Sequence, residues 1–223
     1  AWTGPNGFTS SLEDPSIASA TTAATGLYSV TVTVAGCTSA AGTTNATVNA
    51  TPATPTATNN GPICAGSTLN LYTDTVSGAT YAWTGPNGFT SALEDPSIAG
   101  ATTAASGLYS VTVTVSGCTS AAGTTNATVN ALPTPTITGD TANTCPAETV
   151  LLTTQGGMSG YQWYVGGSPI GGANVSTYTV TASGSYTVSY TDGNGCSGLS
   201  AAHVVTITSC GCTAPTQEVI ETV

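Results

Sequence analysis

The chain has 223 residues with no lysine or arginine, ten acidic residues and one histidine, for a formal net charge of −10. With no cations to neutralise phosphates, nucleic-acid binding is excluded, and anionic membrane surfaces are disfavoured by the same sign. Lysine-based isopeptide cross-links are excluded too, so covalent stapling must come from the seven cysteines, whose use points to an oxidising compartment.

In chain order, residues 1–50 and 82–131 are nearly the same text, and the positions of Trp2 and Trp83 set the period at 83 − 2 = 81. Only Ser11/Ala92, Ser19/Gly100, Thr25/Ser106 and Ala35/Ser116 differ. A repeat this long predicts an array of similar modules. Modules of about 80 residues bury only about 60% of their unfolded surface and often need staples. Residues 1–50 match the second half of the unit, so the first module is expected to be incomplete, as in a piece of a longer precursor whose export signal lies elsewhere. Pro52 and Pro55, then Pro133 and Pro135, mark stiff boundaries. The predicted domains are therefore 1–50 (a C-terminal half-module), 51–131 (complete), 132–209 (divergent) and a tail, 210–223.

Within the complete module the hydrophobic period is two. Leu69 and Leu71 alternate with polar neighbours, as do Tyr81 and Trp83, and the clearest run is Tyr109, Val111, Val113 and Val115. β-branched residues at this period read as half-buried antiparallel strands. Turn signals fall between them at Ser77-Gly78, Gly85-Pro86-Asn87-Gly88, Ser106-Gly107 and Ala122-Gly123. The third module keeps the order: Val150 and Leu152, then Tyr161, Trp163 and Val165, then Tyr186, Val188 and Tyr190, with a hairpin turn at Asp192-Gly193-Asn194-Gly195. No helical stripe and no apolar run of about 20 residues occurs, which predicts an all-β sandwich per module and no direct membrane insertion. The expected core aromatics are Trp2, Trp83, Trp163, Tyr109 and Tyr186.

Cys64 precedes the early strand and Cys118 follows the Tyr109 strand; Cys145 and Cys196 repeat that placement. The enclosed loops are similar, 118 − 64 = 54 and 196 − 145 = 51, so the expected bridges are Cys64–Cys118 and Cys145–Cys196. Each is expected to contribute about 4 kcal/mol on a chain-entropy basis. Cys37, Cys210 and Cys212 are then left over. Truncation explains an unpaired Cys37. Alternatively, a neighbouring molecule supplies its partner, with the Cys210-Gly-Cys212 tail and Glu218-Val219-Ile220 completing the open module head to tail.

The order Cys64-Ala65-Gly66, Tyr81-Ala82-Trp83, Trp83-Thr-Gly-Pro-Asn-Gly-Phe89, Pro96-Ser-Ile98, Ser106-Gly-Leu-Tyr-Ser-Val-Thr-Val113 and Gly117-Cys118 resembles an immunoglobulin-like/PKD-like repeat family. Its members stack in large secreted surface proteins of Bacteroidota, many of them type IX-secreted or gliding-associated. The resemblance implies tandem immunoglobulin-like β-sandwich modules, an extracellular address and a spacer or adhesive role. Antibody-type domains place a cysteine two residues after the tyrosine of this strand, whereas Cys118 follows Tyr109 by nine. The bridge is thus expected to tie a strand start to a hairpin end rather than cross the core.

Glu13-Asp14 and Glu94-Asp95 precede Pro-Ser-Ile and read as solvated turns; no calcium-loop pattern surrounds them. His203, alternating with Val205 and Ile207, reads as structural. No nucleophile–base pair or metal-ligand spacing occurs, so neither an enzyme nor a cofactor is expected. Phe89 and Tyr164 are the candidates for exposed sugar contact. Thr75 and Thr141, in Asp74-Thr75-Val76 and Asp140-Thr141-Ala142, resemble a short O-glycosylation motif. The expected function is a structural extracellular repeat protein forming a stalk, adhesin or fibre that polymerises head to tail. Its partners would be its own neighbours and glycans. The alternative is a carbohydrate-binding accessory module of a large secreted protein.

Overall fold

The computed structural model describes residues 1–211, which fall into two compact units, one of residues 1–61 with 68–128 and the other of residues 62–67 with the chain from 129. Cys212 and Glu218-Val219-Ile220 lie outside the described residues.

In the first unit, the second repeat copy and the strands before it build two antiparallel sheets. One has Leu69–Thr73 between Ala57–Asn59 and Ser97–Ile98. The other has Gly107–Val115 pairing with Thr80–Thr84 on one side and with Cys118–Thr119 and Gly123–Ala127 on the other, while Thr90–Ser91 extends it beyond Thr80–Thr84. The alternation read from sequence sets which side chains go in. Leu69 and Leu71 from the first sheet and Trp83, Tyr109, Val111 and Val113 from the second are all at most 1% exposed. Each such side chain contributes about 1.5–3 kcal/mol by leaving water. Ser116 and Gly117 turn the chain between Val115 and Cys118 with φ of 48° and 81°, a left-handed pair that suits a tight hairpin.

Polar atoms in this core are satisfied in a repeated way. The Trp83 indole Nε1–H donates to the Glu94 carbonyl at 3.0 Å, and the buried Tyr109 hydroxyl donates to the Ala105 carbonyl four residues back at 2.8 Å. That corner closes the turn entering the tyrosine strand. It recurs as Tyr28 to Ala24 at 2.7 Å and Tyr186 to Ala182 at 2.8 Å.

Residues 1–50 carry only the second of these sheets. Its order is Thr9–Ser10, Trp2–Thr3, Gly26–Val30, Gly42–Ala46. Beyond a break at Thr31 and Val32 the chain resumes as Thr33–Val34, paired with Cys37–Thr38. Ser16 and Ile17, the counterparts of Ser97–Ile98, form no strand.

In the second unit Val150–Thr153 pairs with Thr177–Val180. The facing sheet runs Ser168–Pro169, Ser159–Val165, Gly184–Thr191, Ser197–Leu199, with His203–Val205 also on Gly184–Thr191. Val150, Leu152, Trp163, Ala173, Val180, Tyr186, Val188 and Val205 form one buried cluster. The unit also takes in Ile63–Cys64, which pairs parallel with Val129–Asn130. Residues 62–67 and 129–131, expected to belong with 51–131, are thus grouped with the third module. The pairing joins the two segments to each other, and the Cys64 disulfide described below ties them to that module.

Candidate functional site: an open sheet face and linked cysteines

Trp2, Phe8, Ile17, Tyr28, Ala46 and Val48 line an apolar groove of about 430 Å3 on the sheet of residues 1–50, with Asp14 at its edge. The same positions in the second copy are covered. Val113 is fully buried whereas Val32 is 60% exposed, and Trp83 is buried whereas Trp2, expected in a core, is only partly covered. Two glycines make the same point. A Cβ on Gly123 would lie 1.9 Å from the Pro55 carbonyl oxygen, so only glycine lets the proline-rich segment cross there. Gly42, its counterpart, would meet nothing closer than a Val30 methyl at 3.5 Å.

The paired acids serve strand order. Asp95 Oδ1 accepts the Thr73 N–H at 2.9 Å, the Pro96 carbonyl accepts the Leu71 N–H at 2.9 Å, and the Glu94 carboxylate accepts the Thr75 hydroxyl. Among the described residues nothing donates to the Asp14 carboxylate or the Pro15 carbonyl, their counterparts. Asp74 accepts the Thr56 N–H at 2.8 Å, and that bond holds its carboxyl below the usual carboxylate value. Burial raises the Tyr109 and Tyr186 phenols above theirs, so both corners stay neutral donors.

The cysteines pair differently from expectation. Cys64 bonds Cys196 and Cys145 bonds Cys210, with Cα–Cα distances of 5.6 Å in each case, while Cys37 and Cys118 are free thiols among the described residues. The expected Cys64–Cys118 and Cys145–Cys196 bridges are corrected accordingly, as is the expectation that Cys210 is left over. The physical reason lies in strand placement. Cys64 sits on the short strand parallel to Val129–Asn130, next to the junction with the following module, and Cys196 ends that module's hairpin. Each opening cysteine, five residues before its early strand residue (69 − 64 and 150 − 145), therefore bonds a cysteine of the next segment. Cys118 Sγ lies 3.7 Å from the Asn49 carbonyl oxygen.

Trp163 is buried, with its indole N–H on the Val175 carbonyl at 2.9 Å, and Tyr186 is 3% exposed. Phe89 packs edge-on against Tyr109 with centroids 5.5 Å apart, so it extends the core rather than standing free for a sugar. Tyr164 is half-buried beside an open concavity with Thr187, Ser189 and Leu199. Thr75 and Thr141 are exposed. The His203 ring lies 3.3 Å from the Asp140 carbonyl. What sequence reasoning missed is the tyrosine corner. Its signal was available: a glycine stands two residues before the tyrosine in Gly26-Leu27-Tyr28, Gly107-Leu108-Tyr109 and Gly184-Ser185-Tyr186.

No family model matches the chain, and no curated protein matches it in sequence. Solved structures show likenesses of fold. Murine CEACAM1b is 15% identical over 69% of this chain and all of its own, with a TM-score of 0.34. The N-terminal four immunoglobulin domains of Dscam1 isoform 6.9 are 16% identical over 82% of this chain and 54% of theirs, at 0.31. Three N-terminal domains of the bacteriophage RB49 highly immunogenic outer capsid protein are 18% identical over 69% and 58%, at 0.39. At these values the assignment rests on this chain's own strand order, its strand-borne tryptophans and its tyrosine corners. The modules are immunoglobulin-like β-sandwiches.

Proposed function

We propose that the chain is a non-catalytic structural run of immunoglobulin-like modules in an extracellular stalk, adhesin or fibre, as in the large secreted surface proteins of Bacteroidota that its motifs resemble. The observation that carries this reading is the Cys64–Cys196 bond, which ties the opening strand of one repeat to the hairpin of the next and closes a sequence span of 132 residues. A bond of that kind serves a chain that must not extend when pulled, and it persists in an oxidising, extracellular setting. Threonine- and serine-rich outer faces support the same role by staying hydrated or carrying glycans, and neighbouring repeats are the natural partners. Immunogold electron microscopy of intact source cells tests the reading. Label along thin surface projections is expected; label confined to the cell interior would overturn it.

A further inference from the structure

Residues 1–50 and 82–131 differ at four positions, and none of the four lines the open groove. The second copy shows what fits such a face. Leu69 and Leu71, both fully buried, enter from the strand Leu69–Thr73, which pairs with Ser97–Ile98 and Ala57–Asn59. Asn59 Nδ2 reaches Thr125 Oγ1 at 2.7 Å, and Pro55 crosses Gly123. The counterparts Asp14, Pro15, Ile17, Gly42 and Thr44 wait on the first copy in the same order.

The cysteines supply a second, independent observation. In the second unit the Asn130 carbonyl accepts the Ala65 N–H at 2.8 Å, and Cys64, the register partner of Asn130, bonds a hairpin cysteine of the following module. Asn49 is Asn130 shifted by one period (130 − 49 = 81), and the free thiol of Cys118, at the hairpin of the following module, lies against its carbonyl. Asn49 thus has a hairpin cysteine of the following module beside it, and lacks the strand with an opening cysteine that Asn130 pairs with. Both opening halves among the described residues are already paired elsewhere, with Cys64 bonded to Cys196 and Cys145 to Cys210.

Building on the structural reading above, we infer that the open face of residues 1–50 docks an opening half of the same repeat. Residues 51–81 exemplify that half, and its opening cysteine locks it by a disulfide to Cys118. Closing that bond from two thiols releases two protons and two electrons, which a small organic disulfide takes up in becoming two thiols.

The test uses the full oxidised chain and a synthetic peptide of residues 51–81 whose cysteine is a mixed disulfide with thionitrobenzoate. The Cys118 thiolate attacks the peptide sulfur and displaces one coloured thiolate per bond formed, and peptide mapping locates the bond. Capture at Cys118 is expected at least tenfold faster than at Cys37 or Cys212, and at least tenfold faster than with a scrambled peptide of the same composition. Leu69→Asp and Leu71→Asp together in the peptide, which leave the protein untouched, should remove that advantage. Gly42→Ala in the chain should keep the fold, since its Cβ has room, yet lose capture at least tenfold, because the incoming proline-rich segment would collide there. Equal rates with the scrambled peptide, or equal capture at Cys37 or Cys212, would overturn the inference. So would protection of Cys118 by a peptide of residues 213–223 in preference to 51–81. None of these outcomes bears on the immunogold labelling, so the two readings fail separately.

Discussion

Val32 and Val113 stand at the same place in the same fifty-residue text, yet one is 60% exposed and the other wholly buried. Local geometry does not explain the contrast. Asn6 and Asn87 have φ of 51° and 53°, the tyrosine corners close at 2.7 and 2.8 Å, and both tryptophans donate to the glutamate carbonyl eleven residues on. Each copy thus folds its turns alike and has four strands of this sheet in common, although Gly26–Val30 stops where Gly107–Val115 runs on to pair with Cys118–Thr119. What differs is the second sheet: Leu69 and Leu71 cover one copy, and no strand among the described residues covers the other. Side-chain hydrogen bonds within a copy are set by its own sequence, whereas burial is set by what lies across from it.

The largest expected effect tests the cysteine linkage that the two hairpins do not share. Cys64→Ser puts Cys196 in the free state that Cys118 already has, and opens a loop spanning 132 residues, for about 5 kcal/mol on the chain-entropy estimate. Urea unfolding of the variant beside the parent should show that loss in the second unit, and thiol titration should find one more reactive sulfur. Next, Trp83→Ala and Trp2→Ala set the covered and open copies against each other. About 3–5 kcal/mol is expected at the buried site and about 1 kcal/mol at the partly exposed one, read from denaturant midpoints. Equal losses would mean the first copy is covered in solution.

The smallest effect is acidic. Asp74 has its folded pKa depressed by the Thr56 N–H, so its contribution is present above the ordinary value of 3.8 and is lost as pH falls through the lower folded value. Amide hydrogen exchange at Thr56 to Asn59 should quicken in that window, and Asp74→Asn should flatten the response. Residues 1–50 contain no counterpart of Asp74 and should show no such change.

Much of the fold was legible because strand burial follows a period of two: Tyr109, Val111 and Val113 turned inward as their alternation requires. The disulfide pairing was not legible from spacing. Loop-closure entropy grows only as the logarithm of length, so a span of 132 residues costs less than about 1 kcal/mol more than one of 54. Near-equal loop lengths within modules therefore carried almost no weight against the geometry of a junction. The acids at 94 and 95 read as a solvated turn because nothing nearby in sequence shows that Thr73 and Thr75 come across to meet them.

By itself the sequence determined the repeat, the alternation that makes sheets rather than helices, the glycine and asparagine turns and the tyrosine-closed corners. Those depend on neighbours a few residues apart. Only the tertiary structure decided which copy is covered, which cysteines meet and where the open face lies. These depend on strands brought together from distant parts of the chain, and fifty nearly identical residues cannot encode two different answers. The groove beside Trp2 and Tyr28 is open because no described strand crosses it.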